Sequence, residues 1–135
     1  MNIIPSGLPD LGPFSWAVCA NNIVYTTQIP IRQNGALELG DIREQATLVF
    51  ANLQETIQRA GGTLQCVVQV IIYLIDMEDG RATTEIWNNF FSPPWPNRAT
   101  IGVSALAVPG MKIEIVATAV LKTGDPPKNL IRSGK

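Results

Sequence analysis

The sequence contains no histidine at all. That absence removes serine–histidine and cysteine–histidine nucleophilic catalysis, a histidine general base and nearly all zinc sites. The two cysteines, Cys19 and Cys66, stand in separate apolar runs and read as reduced core thiols, too few to build a metal centre unaided. Charge is scarce too: charged residues make up 16% of the chain, against roughly 25% in an ordinary soluble domain. Ten basic and eleven acidic residues leave a net charge of −1, which gives no electrostatic footprint for nucleic acid or for an anionic membrane. No apolar run approaches the roughly 18–20 residues of a membrane-spanning helix. Residues 1–10 lack the basic start and apolar core of a secretory signal, so the cytoplasm is the expected compartment. Any chemistry must therefore use carboxylates, arginine, lysine, hydroxyls, backbone groups and water.

What is present is apolar. With 135 residues, 46% of them hydrophobic, the chain fits one domain that has more surface to hide than one core takes, which points to subunit association. Residues 1–13 hold three prolines and two glycines and are expected to be irregular. Phe14 to Ala20 and the β-branched run Ile23 to Ile29 read as a hairpin across Asn21-Asn22, and Pro30 ends the ladder. Asp41 followed by Glu44 has the form of a capping box. From there Ile42, Ala46, Val49, Leu53, Ile57 and Ala60 recur at helical spacing, closed by Gly61-Gly62. Cys66 to Ile75 is almost continuously apolar and reads as a strand buried on both faces. Arg81 to Phe91 reads as a second helix, ended by Pro93-Pro94.

Two more strands are expected, Ala99 to Ala107 and Met111 to Leu121. In the last, Ile113, Ile115, Ala117, Ala119 and Leu121 form one apolar face, and Lys112 and Glu114 lie on the other. The order ββαβαββ predicts an α+β fold, with a mixed sheet and two helices on one face. The other sheet face is also apolar and has no helix left to cover it, which argues for a homo-oligomer. Residues 1–122 form the domain, and residues 123–135 are expected to be a flexible tail. One stretch concentrates polar potential: Arg98, behind the rigid Pro93, Pro94 and Pro96, opens one strand, and Glu114 sits within the next. The pair is either a site or a salt bridge.

Several motifs, in order and spacing, carry a resemblance. They are Gly12-Pro13-Phe14-Ser15-Trp16-Ala17, Thr26-Thr27-Gln28-Ile29-Pro30, Gly40-Asp41-Ile42 with Gln45, Asn52-Leu53, Ala60-Gly61-Gly62, Val70 to Leu74 with Asp76-Met77, Phe90-Phe91, Pro96-Asn97-Arg98-Ala99-Thr100 and Ile113-Glu114-Ile115. Together they resemble the RidA/YjgF family of reactive-imine deaminases, from about residue 7 to residue 121. The resemblance implies a chorismate-mutase-like fold and a homotrimer with a barrel-like centre and sites in clefts between subunits. It implies hydrolysis of 2-aminoacrylate and related enamines and imines to 2-keto acids and ammonia, without cofactor or metal.

By that resemblance Arg98 clamps the substrate carboxylate, a task suited to its planar fork and permanent charge, and Glu114 holds or activates the attacking water. Thr100, Thr26, Thr27, Phe14, Trp87 and Thr84 fall on substrate-binding positions. The sequence departs from the family's archetype at several of them. Phe14 replaces a tyrosine, Thr26-Thr27 replace Ser-Gly, Thr84 and Trp87 stand where asparagine and tyrosine are usual, and the segment from Arg98 to Pro109 is longer. These changes narrow the cleft and make it less polar. They leave open a larger substrate such as 2-aminomuconate, or a non-catalytic trimer that binds a small acid or a protein. Family members labelled ribonucleases or translation inhibitors are a poor guide here, given the neutral charge and the missing histidine.

Overall fold

The computed structural model describes residues 1–122; the tail expected at 123–135 lies outside them. The chain runs β1 (Asn2–Ile3), β2 (Ala17–Ala20), β3 (Ile23–Gln28), α1 (Ile42–Arg59), β4 (Val67–Leu74), α2 (Gly80–Trp87), β5 (Asn97–Gly102) and β6 (Ile113–Val120). Six strands form one mixed sheet in the order β1-β2-β3-β6-β4-β5. Only β4 and β5 are parallel, joined through α2. The last strand enters the middle of the sheet between β3 and β4. Both helices pack on one face, as expected.

Local chemistry explains the elements. Asn21 and Asn22 turn the β2–β3 hairpin with φ of 51° and 63°, the positive values that a tight two-residue turn needs and that asparagine tolerates. Asp41 accepts from the Glu44 amide (2.9 Å), and Glu44 accepts in return from the Asp41 amide (3.1 Å). That capping box is worth about 1 kcal/mol to α1. Gly61, at φ 99°, closes the helix. Ile42, Ala46, Val49, Leu53 and Ile57 are buried against the sheet. Phe50, absent from the periodic list, is also fully buried. It lies one step round the helix, toward α2, and meets Trp87, Phe90 and Phe91 with centroids 5.8, 5.8 and 6.2 Å away.

Several expectations are corrected. The N-terminal segment is not wholly irregular, because Asn2 and Ile3 pair with Cys19 and Val18. The second helix begins at Gly80 and stops at Trp87, short of Phe91. β5 ends at Gly102 rather than Ala107: its sole partner, β4, ends at Leu74 and the chain turns away at Met77–Asp79, which leaves the later residues no ladder. β4 is not buried on both faces. Val67, Val70, Ile72 and Leu74 are buried beneath the helices, Ile71 and Tyr73 are half-buried, and Val68 and Gln69 are exposed.

The uncovered face follows from the pairing register. Val18, Ala20, Ile23, Tyr25 and Thr27 share it with Glu114, Val116, Thr118 and Val120, with Gln69, Ile71 and Tyr73, and with Asn97, Ala99 and Ile101. Among the described residues Glu114 is the only charged strand residue on that face. The face is wide and apolar, and no helix of the described residues lies over it.

Candidate functional site

Arg98 enters the sheet at the second position of the edge strand β5, opposite Val70. Its side chain therefore lies on the helix face and runs toward α2. Nε donates to the Thr100 hydroxyl (3.1 Å) and Nη2 to the Thr84 hydroxyl (3.0 Å). Cζ sits 4.9 Å from the centroid of the Trp87 ring. Trp87 is only 4% exposed, stacks on Phe91 at 4.1 Å and meets Phe50 edge-on. The guanidinium is thus half-buried over an aromatic floor that belongs to the core. Burial lowers its pKa, yet arginine stays charged at any working pH. Among the described residues no carboxylate pairs with it; the ion pairs there are Arg32–Glu38, Arg43–Glu85 and Arg59–Glu55. A desolvated cation with no internal counter-ion is suited to an external anion.

Glu114 stands on the opposite, uncovered face. It lies across from Tyr73 of β4, diagonal to Thr27 of β3, which pairs with Val116. Lys112 precedes it by two residues, but no hydrogen bond or ion pair holds the carboxylate among the described residues. Burial raises its pKa. Its place is set from a distance. The fully buried Gln45 of α1 donates from Nε2 to the Gly40 and Gly110 carbonyls (both 3.0 Å), and its Oε1 accepts from the Lys112 amide at 2.8 Å. One glutamine therefore ties the start of α1 to the turn that launches β6. The sequence signal for this was Gln45 within the Gly40-Asp41-Ile42 motif; its physical role appears only in three dimensions.

The remaining positions divide. Thr84, Thr100 and Trp87 cluster at Arg98. Thr27 shares the uncovered face with Glu114. Phe14 is 53% exposed at the mouth of the β2–β3 hairpin, edge-on to Trp16 with centroids 5.2 Å apart. Thr26 belongs to neither group. It is 5% exposed, donates to the Trp16 carbonyl (2.6 Å) and accepts from Gln28 Nε2 (3.0 Å), which also donates to Thr56 (2.9 Å). Its hydroxyl is committed to internal hydrogen bonds and faces neither Arg98 nor Glu114.

Arg98 and Glu114 do not meet within one chain. β4 lies between their strands, and Glu114 is level with Ile101, three residues beyond Arg98. That offset is about 10 Å across the strands and about 10 Å along them, on opposite sides of the sheet. The salt-bridge reading of the pair is excluded within a chain. Two clefts among the described residues, of about 450 and 390 Å³, run along the outer side of α1 and under the proline-rich loop, and neither is lined by Arg98 or Glu114. No group of three or more cysteine, aspartate or glutamate side chains converges among the described residues, and no helix there is long and apolar enough to cross a membrane.

An antiparallel-dominated sheet with a helix layer on one side and an apolar face on the other, bearing a free arginine and a lone carboxylate, defines the class. Residues 6–121 match the family described as endoribonuclease L-PSP. The chain is 33% identical over 112 residues to the human 2-iminobutanoate/2-iminopropanoate deaminase, covering 82% of this chain and 81% of that one. Its fold superposes on RidA from the Antarctic bacterium Psychrobacter sp. PAMC 21119 with a TM-score of 0.84 at 30% identity, covering 90% and 100% of the two chains. On E. coli TdcF with bound serine the TM-score is 0.83 at 26% identity, again covering 90% and 100%. The chain belongs to the RidA/YjgF family, and its architecture is the chorismate-mutase-like α+β fold of that family.

Proposed function

We propose that the protein is a cofactor-independent deaminase that hydrolyses small imine and enamine carboxylates, 2-aminoacrylate and its imine tautomer among them, to a 2-keto acid and ammonia. The observation that carries this reading is a half-buried cation and a half-buried carboxylate, neither of which has a counter-ion among the described residues. Arg98 binds the substrate carboxylate. Glu114 holds the water that adds to the imine carbon and takes up one of its protons; the resulting carbinolamine collapses as the nitrogen leaves as ammonia and the proton returns. An iminium carbon is already electrophilic, so one positioned carboxylate supplies what the addition needs. The imine-deaminase name of the human relative and the serine in the E. coli structure support a small carboxylated amino compound as ligand.

Because the two residues lie on opposite faces of one sheet, the site forms between chains. The uncovered face, carrying Glu114, turns toward the Arg98 edge of a neighbour in a homotrimer built around the apolar faces. The protein is expected to sediment as three chains at micromolar concentration. With freshly generated 2-aminoacrylate it is expected to accelerate 2-keto acid release well above buffer. No acceleration, with keto-acid binding still dependent on Arg98, would make it a binding protein instead. Acceleration confined to a larger unsaturated amino acid would keep the mechanism and change the substrate.

A further inference from the structure

The contacts of Arg98 assign a second tier to the site. The guanidinium offers five N–H donors on two usable edges. Two of the five are taken, one on Nε by Thr100 (3.1 Å) and one on Nη2 by Thr84 (3.0 Å). Nε and Nη2 share one edge of the fork. Both N–H groups of Nη1 and the second of Nη2 have no partner among the described residues, and one N–H from each of these two nitrogens makes up the other edge. The acceptors matter as much as the geometry. A carboxylate in either place would grip the fork equally well but would cancel its charge and compete with a substrate anion. Hydroxyls fix the fork and leave the charge unspent. Trp87 closes the third direction: its ring lies 4.9 Å beneath Cζ and is itself immobilised by Phe91 and Phe50.

We propose that Thr84 and Thr100 are positioning residues, which hold one edge of the Arg98 guanidinium by neutral hydrogen bonds and present the opposite edge, Nη1 with Nη2, to a substrate carboxylate. This rests on Arg98 being the carboxylate clamp, and it moves Thr84 and Thr100 from contact with substrate to contact with the clamp. It also gives the two threonines, where the sequence departs from or varies within its family, a shared task reaching from α2 to β5. An arginine ordered in advance loses less side-chain freedom when the ligand arrives.

The test is calorimetric titration of the full-length protein with pyruvate, an unreactive keto acid, and with pyruvamide, which lacks the carboxylate, alongside steady-state kinetics. Thr84→Val removes the hydroxyl at constant shape on an exposed helix position, so folding is not at issue. It is expected to weaken pyruvate binding roughly three- to tenfold, the size set by ordering one long side chain on binding, and the kinetic loss is expected in KM rather than in kcat. Thr84→Ser restores the hydroxyl and is expected to restore affinity, Thr100→Val is expected to repeat the Thr84→Val result, and pyruvamide binding is expected to be indifferent to all three. Wild-type pyruvate affinity in both valine variants, failure of serine to rescue, or an equal loss for pyruvamide would each overturn the positioning role. Arg98→Ala separates the two levels: if it binds pyruvate as tightly as wild type, the clamp itself is wrong, whereas loss in Arg98→Ala with none in Thr84→Val removes only the second tier.

Discussion

Arg98→Ala is expected to lower kcat/KM for imine hydrolysis by about two to three orders of magnitude while leaving the thermal transition close to that of wild type. The magnitude comes from the chemistry of the fork. Each charge-assisted hydrogen bond to a carboxylate is worth roughly 1.5–3 kcal/mol, and the end-on edge makes two. A combined loss of about 3–4 kcal/mol corresponds to about 10²–10³ in rate at 1.36 kcal/mol per factor of ten. Stability is spared because the internal partners of Arg98 are two threonine hydroxyls near the surface and one aromatic face, none of which becomes a buried unpaired charge when the guanidinium goes. Arg98→Lys keeps the charge but not the parallel pair of donors, nor the fit to both threonines, and is expected to recover only part of the activity. Steady-state keto-acid formation and calorimetric melting measure the two quantities.

Glu114→Gln is expected to act in opposite directions on catalysis and stability. Loss of the carboxylate removes the water-positioning base and is expected to cost about 10²–10⁴ in kcat. The same substitution is expected to raise the melting temperature at pH 7. Burial on an apolar face disfavours the charged form, so the carboxyl titrates above the ordinary glutamate range. A group whose folded pKa is raised favours the folded state while protonated, and that contribution is lost as pH rises through the raised pKa. The variant should therefore match wild type in acid and exceed it progressively at higher pH. Catalysis reads the same titration with the other sign. It needs the ionised form, so kcat/KM should fall as pH drops through a midpoint above that of a solvated glutamate. From β4 the residue facing Glu114 is Tyr73, from β3 it is Thr27 on the diagonal, and along its own strand Lys112 lies two residues before. Within one chain no cation is hydrogen-bonded or ion-paired to the carboxylate among the described residues. In the proposed trimer the charged group across the cleft is Arg98 of the neighbouring chain, so the melting comparison is made with pyruvate bound, whose carboxylate takes up that charge. A melting curve that favours wild type at pH 7, or an acid limb at ordinary glutamate values, would contradict this picture.

Much of the frame was legible because its signals are local. The capping box at Asp41 and Glu44, the helical recurrence from Ile42 to Ile57, the Asn21-Asn22 turn and the alternation through β6 each state a structure within a few residues. What the sequence hid is non-local. β1 holds two residues and exists only because Val18 and Cys19 offer them an edge. The ends of β5 and α2 depend on where a partner strand stops and how a turn packs. The hydrophobicity of β4 signalled two apolar faces correctly but could not say that only one is covered in a single chain.

The site divides the same way. Arg98 and Glu114 were visible by resemblance, but their placement on opposite sheet faces emerges only from the registers of β4 with β5 and β6. Thr26 sits in one of the resembling motifs; the bonds of its hydroxyl to the Trp16 carbonyl and Gln28 appear only in three dimensions. Thr84 and Thr100 were placed at the substrate and are found at the arginine.

The central claim is that catalysis needs Arg98 of one chain and Glu114 of another. The direct measurement is 2-keto acid release by inactive Arg98→Ala and Glu114→Gln proteins, each alone and after the two are co-refolded in equal amounts. A shared site predicts recovery of about a quarter of wild-type activity, because random association in a closed ring leaves that share of interfaces with both residues intact. A mixture as inactive as its two components, with mixed oligomers demonstrated, would contradict it.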